Sequence, residues 1–236
     1  ATDFSYDPRH IRRLDKIAAW EAQHRFPLPE LARLGQSIWL DNIHREMLQD
    51  GEFRALVRQG VLGVTSNPSI FEKAFTRDIY AEDIKRLSGE GKTADLVAEG
   101  LMIADIQEAC DQLAAVYDLT DGHDGFVSLE LPPSLSFDAE KSVAKAKELW
   151  DAVDRPNLMI KVPGTPEGVK AFEELIVAGI QVNVTLLFAV SAYQDVARAY
   201  VNAIERRAKA GQTLDIASVA SFFVSRIDGV VDGLLA

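Results

Sequence analysis

From about residue 36 onward, short apolar runs of strand length alternate with longer amphipathic stretches, the sequence sign of repeated βα units around a parallel sheet. Six runs read as strands: Ser37–Asp41, Leu62–Thr65, Phe126–Leu131, Leu158–Val162, Gln181–Leu187 and Ala217–Phe223. Several are almost continuously apolar, as strands covered on both faces require. Helical periodicity predicts Arg9–His24, Thr93–Tyr117, Asp138–Val153, Thr165–Ala178, Ser191–Lys209 and Ile227–Leu235. Asp138 and Thr165 are suitable N-caps, Thr165 with a proline behind it, and Pro68–Ser69 marks another helix start.

At 236 residues and 47% hydrophobic, the chain can bury one large core, and α/β barrels use such lengths without splitting. No linker or repeat divides it, so residues 1–236 read as a single barrel domain with an N-terminal helical extension over about 1–35. A complete (β/α)8 TIM barrel needs eight strands. This chain stops at Ala236 soon after its sixth, and Gly229–Ala236 reads as an interrupted helix. The expectation is a barrel truncated after the sixth strand, with strands 7 and 8 absent and apolar edges exposed.

Charge excludes several classes. With 25 Lys and Arg against 36 Asp and Glu, the net −11 repels polyanions and argues against nucleic-acid binding or anchoring to acidic lipid. A small anionic substrate remains compatible, since one local arginine reverses the potential inside a cleft. The single cysteine, Cys110, rules out a disulfide framework within the chain and reads as a buried small hydrophobe on the stripe Ile103, Ile106, Cys110, Leu113 and Tyr117. Residues 1–14 lack a signal-peptide core and no run approaches membrane-spanning length, so a cytoplasmic location is expected. Asn183–Val184–Thr185 matches a glycosylation sequon but falls in a predicted buried strand. Composition carries no signal for an oligomeric state.

Lys161 closes the apolar run Leu158–Val162 just before Pro163–Gly164–Thr165. Most strand-end lysines extend their ammonium into solvent over an apolar stem. At the mouth of a barrel, however, desolvation disfavours the charged form and frees a lone pair for attack on a carbonyl, which is Schiff-base chemistry. In α/β barrels the reactive groups stand where strands end. Here those positions hold Asp41, Thr65 and Asn67, Glu130, Lys161, Asn183 and Thr185, and Ser221 followed by Arg226.

Simpler roles exist for most of them: Asp41 and Asn67 as caps, Thr185 as an ordinary strand residue, Arg226 paired with Asp228. Glu130 is different, because a carboxylate inside an apolar run needs a partner or a task. Gly91–Lys92–Thr93 resembles the tail of a P-loop, yet Arg86 stands where its first glycine belongs and no strand precedes it. The histidines His10, His24, His44 and His123 lack metal spacing. No metal and no organic cofactor is implied.

Five stretches together resemble the transaldolases, in the longer-chain branch that also occurs fused to a sugar-phosphate isomerase. They are Gly63–Phe71, Val127–Glu130, Ile160–Thr165, Asn183–Phe188 and Ser221–Arg226. The resemblance implies transfer of a dihydroxyacetone unit between a ketose phosphate (sedoheptulose 7-phosphate or fructose 6-phosphate) and an aldose phosphate (glyceraldehyde 3-phosphate or erythrose 4-phosphate), in the pentose phosphate pathway. It implies Lys161 as the Schiff-base lysine, Glu130 and Thr185 as holders of a catalytic water, and Asp41 as the acceptor of the C4 hydroxyl proton. Asn67, Asn183 and Ser221 would hold substrate, Thr65 would support the second-strand turn, and Arg226 would bind phosphate. Two other readings share this scaffold: a fructose-6-phosphate-type aldolase, which typically has glutamine where Glu130 stands, and an inactive barrel fragment.

Overall fold

The computed structural model describes residue 16 and residues 27–235. The expected helix Arg9–His24 lies outside the described residues apart from Lys16, which is helical. All six strands pair in parallel and in sequence order, giving a curled half-barrel. They are β1 (Ile38–Leu40), β2 (Val61–Thr65), β3 (Val127–Glu130), β4 (Leu158–Pro163), β5 (Val182–Leu187) and β6 (Ser218–Phe222). Each lies within one or two residues of its expected position.

Over residues 27–235 the α-helices are α1 (Pro27–Arg33), α2 (Arg45–Gln49), α3 (Glu52–Arg58), α4 (Pro68–Ala74), α5 (Ala81–Gly89), α6 (Ala94–Leu119), α7 (Ala139–Val153), α8 (Pro166–Ala178), α9 (Val190–Lys209) and α10 (Val224–Leu235). Helices α6 to α9 match the periodicity closely and α1 falls within the expected helical extension, whereas α2, α3 and α5 have no counterpart among the expected helices. Thr165 and Asp138 cap as expected, accepting from the backbone N–H groups of Gly168 and Lys141. At α4 the cap is Asn67, one of the two residues for which a capping role was open, with Pro68 in the first helical turn. The final segment corrects an expectation: α10 runs unbroken through Gly229 and Gly233. None of its residues is buried, and Val230, Val231, Leu234 and Leu235 face outward.

Strand alternation divides the sheet into two chemistries. On one face Val127, Leu129, Leu158, Ile160, Val162, Val182 and Val184 pack against the helical layer, including Ile106, Cys110 and Leu113 of α6 and Phe172, Leu175 and Ile176 of α8. Burying each such Leu or Ile contributes about 2 kcal/mol. Cys110 is fully buried, as its place on the stripe predicts. The opposite, concave face carries the polar residues.

Two glycines allow close approach. A Cβ on Gly63 would sit 2.5 Å from the Trp39 ring, which lies across β2. One on Gly168 would sit 1.9 Å from the Pro163 carbonyl oxygen, so α8 can begin directly against the end of β4.

The β5–β6 register shifts between Val184 and Leu187, and there Leu186 adopts the left-handed conformation with φ 61°. That conformation costs an L-residue about 1–2 kcal/mol. It turns the Leu186 side chain outward, 47% exposed, beside the buried Thr185. Leu186→Asn should therefore unfold at higher urea than Leu186→Ile, with a stability difference of about 1 kcal/mol, because asparagine tolerates this conformation and a β-branched residue does not. Equal midpoints would show that the local conformation is not strained.

Candidate active site

The parallel register places Glu130, Lys161 and Asn183 side by side across β3, β4 and β5. Thr65 stands opposite Ser128, and Thr185 opposite Pro163. Polar residues separated by two along the strands thus share the concave face, near the strand C-termini where βα loops begin.

Lys161 is 5% exposed. Its Nζ lies 3.1 Å from Glu130 Oε2 and donates to the Ser66 carbonyl oxygen, also at 3.1 Å. Burial, opposed by the Lys161 charge and reinforced by that of Asp41, holds the Glu130 carboxyl above the usual glutamate range. The pair can exist as ammonium and carboxylate or, after one proton moves, as amine and carboxylic acid. The two side chains are in direct contact.

Asn183 is 1% exposed, which accords with discounting the sequon. Its amide donates to Ser128 Oγ at 3.1 Å, and Ser221 Oγ donates to its carbonyl oxygen at 2.8 Å. A hydrogen-bonded row therefore ties β3, β5 and β6 together. Ser128 and the Ser66 carbonyl had no role in the sequence reading. Strand alternation two residues before Glu130 could have found the first; a main-chain oxygen has no side-chain signature.

The remaining candidates are less tightly tied. Asp41 follows β1, is exposed, and makes no hydrogen bond to a described residue. Asn67 spends its side-chain oxygen on the α4 cap, 3.0 Å from the Ile70 N–H. Thr65 Oγ1 is buried with no partner among the described residues. Thr185 is 1% exposed, and its carbonyl oxygen accepts from the Gly164 N–H at 2.8 Å. Arg226, at the start of α10, is exposed and forms no ion pair with Asp228. Its guanidinium stacks over Phe223 at 4.8 Å, and Phe223 stacks on Phe188.

The concave face opens into a cavity of about 720 Å³ lined by Thr65, Asn183 and Ser221 but not by Lys161. Glu130 instead borders a neighbouring cavity of about 690 Å³, shared with Ser66 and Asn67. The first reaches Ser37, His123 and Asp215 at the opposite ends of the strands, so its size reflects the open half-barrel more than the reactive mouth. Among the described residues no three His, Cys, Asp or Glu side chains gather closely enough to hold a metal ion.

The family model described as Transaldolase/Fructose-6-phosphate aldolase matches residues 38–234, a span that takes in all six strands and the Lys161–Glu130 pair. The chain belongs to this family. Members similar to it include the transaldolase of Thiobacillus denitrificans, 50% identical over 210 residues that make up 88% of this chain and 58% of that protein. The transaldolase of Trichodesmium erythraeum is 46% identical over 211 residues, 88% of this chain and 56% of its own length. That of Neisseria meningitidis is 45% identical over 210 residues, 88% and 60%. The chain thus spans somewhat more than half the length of these transaldolases. Among its described residues no helix is long and apolar enough to cross a membrane.

Proposed function

We propose that the chain carries the Schiff-base half of a transaldolase, which moves a dihydroxyacetone unit from a ketose phosphate such as sedoheptulose 7-phosphate or fructose 6-phosphate to an aldose phosphate. The buried contact of Lys161 with Glu130, in a member of this family, carries that reading. Proton transfer to Glu130 leaves a neutral amine to attack the ketose carbonyl. Dehydration gives a protonated imine, an electron sink that lets the C3–C4 bond break. Asp41 takes the C4 hydroxyl proton during cleavage and returns it when the acceptor aldehyde adds.

Thr185, buried on β5 two residues beyond Asn183, supports with Glu130 a water for the dehydration step. Asn67, Asn183 and Ser221 hold hydroxyls, Thr65, whose Oγ1 has no partner among the described residues, supports the second-strand turn, and Arg226, oriented by its stack on Phe223, takes the phosphate. Residues 1–236 form one barrel domain with an extension over about 1–35, acting in the cytoplasm within the pentose phosphate pathway. Its partners are small sugar phosphates, with neither nucleic acid nor membrane.

Glu130 favours transfer over simple aldol cleavage, since the stand-alone aldolases typically carry glutamine at that place. The full-length protein, given sedoheptulose 7-phosphate and glyceraldehyde 3-phosphate, should form erythrose 4-phosphate and fructose 6-phosphate in equal amounts. Release of free dihydroxyacetone without transfer would support the aldolase reading, and no reaction at all the inactive one.

A further inference from the structure

The carboxylate at the end of β1 has no hydrogen bond to a described residue, so the loop that carries it must set its place. Two residues on, Ile43 is 1% exposed and anchors that loop in the core. Two further on, Arg45 enters a network that is itself buried: Arg45 is 8% exposed, Asp105 2% and Tyr80 0%. Arg45 Nε donates to Asp105 Oδ1 at 2.8 Å, and Nη1 donates to Asp83 Oδ2 at 2.6 Å. The Tyr80 hydroxyl accepts from the Arg45 backbone N–H at 2.8 Å and donates to Asp105 Oδ2 at 2.6 Å. The guanidinium also lies over the Tyr80 ring, 4.5 Å from its centroid.

Four elements meet there: α2 directly after the Asp41 loop, the 3-10 turn Asp78–Tyr80, α5, and the long helix α6. The turn and α5 follow α4, whose cap Asn67 belongs to the loop after β2, so the network couples the first two strand-end loops. Burying charges carries a desolvation penalty that an apolar cluster would avoid, and this network is directed at one loop. Tyr80 makes its bonds to the two ends of the connection, the first helical N–H of α2 and the carboxylate on α6.

We propose that Arg45, Tyr80 and Asp105 are positioning residues that fix the β1–α2 loop so that the Asp41 carboxylate stands at the C4 hydroxyl of the bound ketose. The proposal rests on the Schiff-base reading above and goes beyond it in assigning a task to groups that touch neither substrate nor Lys161. Such misplacement affects one step: Lys161 and Glu130, on β4 and β3, keep their contact, so imine formation continues while cleavage slows. A displacement of about 1 Å at a reacting group lowers a rate by as much as about 10²-fold.

The test uses the full-length protein and its Tyr80→Phe variant in single-turnover experiments with fructose 6-phosphate. Imine formation is read by borohydride trapping, and cleavage by release of glyceraldehyde 3-phosphate. Tyr80→Phe should trap within about twofold of the wild-type rate and cleave between about tenfold and 10²-fold more slowly. Cleavage at the wild-type rate, or trapping and cleavage falling together with the thermal midpoint, would overturn the proposal. Should Tyr80→Phe not fold, Asp83→Asn loosens Arg45 from the solvent side and should slow cleavage alone by about threefold; an unchanged cleavage rate there is equally adverse. If the wild-type protein itself traps no adduct at Lys161, the Schiff-base reading has failed and this proposal falls with it. A trapped wild type with normal cleavage in the variants sinks the network proposal alone.

Discussion

Lys161→Met is expected to lower turnover by on the order of 10⁴-fold or more, because the step it removes is covalent and no neighbouring group can replace it. Among the described residues its Nζ is paired with a carboxylate and a main-chain oxygen, neither of which can form an imine. Methionine keeps the length and apolar stem of lysine at a position that is 5% exposed, so the core around β4 should survive. Glu130 then lacks its counter-charge and takes up a proton rather than remain ionised in a dry site. The variant should show a thermal midpoint close to that of the wild type and still bind ketose phosphate, the loss appearing in kcat. Turnover within about tenfold of wild type would remove Lys161 from the chemistry.

Glu130→Gln should slow imine formation by roughly 10²-fold while changing ketose affinity little, since an amide has the same shape but cannot accept the lysine proton. The pH dependence has a definite sign. Burial, offset in part by Lys161 and reinforced by Asp41, raises the Glu130 carboxyl, so the acid limb of the rate profile should lie above the range of an exposed glutamate. By linkage, a carboxyl raised in the folded state contributes stability below its unfolded value and loses it as pH rises through the folded value. Activity lost on the acid side therefore cannot be attributed to unfolding driven by this group. Pre-steady-state measurement of imine formation across pH checks both points. An equal loss of affinity with unchanged turnover, or an acid limb that persists unshifted in Glu130→Gln, would assign Glu130 a binding role instead.

The half-barrel was legible because its strands are unusually apolar: all six residues of β4 are buried, and the periodicities of α6 to α9 are long enough to register. The short helices gave no such signal. In α2 the buried set includes Arg45, whose charge breaks an apolar pattern, and α3 buries Phe53 alone. At α10 two glycines pointed to a break, yet the helix passes through both at a cost of about 1 kcal/mol each, which propensity disfavours without forbidding.

The site divided along similar lines. The positions of Lys161, Glu130, Asn183 and Ser221 towards the ends of apolar runs are legible in the sequence. The direct Lys161–Glu130 contact could not, because it depends on pairing register between strands 31 residues apart in sequence. Neither could the Ser66 carbonyl or the Arg45–Tyr80–Asp105 network. The first is a backbone atom, and the second joins residues from three helical elements whose sequence separation hides their meeting.

The central claim is that one buried amine becomes covalently attached to the ketose. Treating the full-length protein with fructose 6-phosphate and borohydride, followed by peptide mass spectrometry, tests it most directly. A stable sugar-derived mass is expected on the peptide containing Lys161 and none in Lys161→Met. A label on any other lysine, or one that survives Lys161→Met, would contradict it.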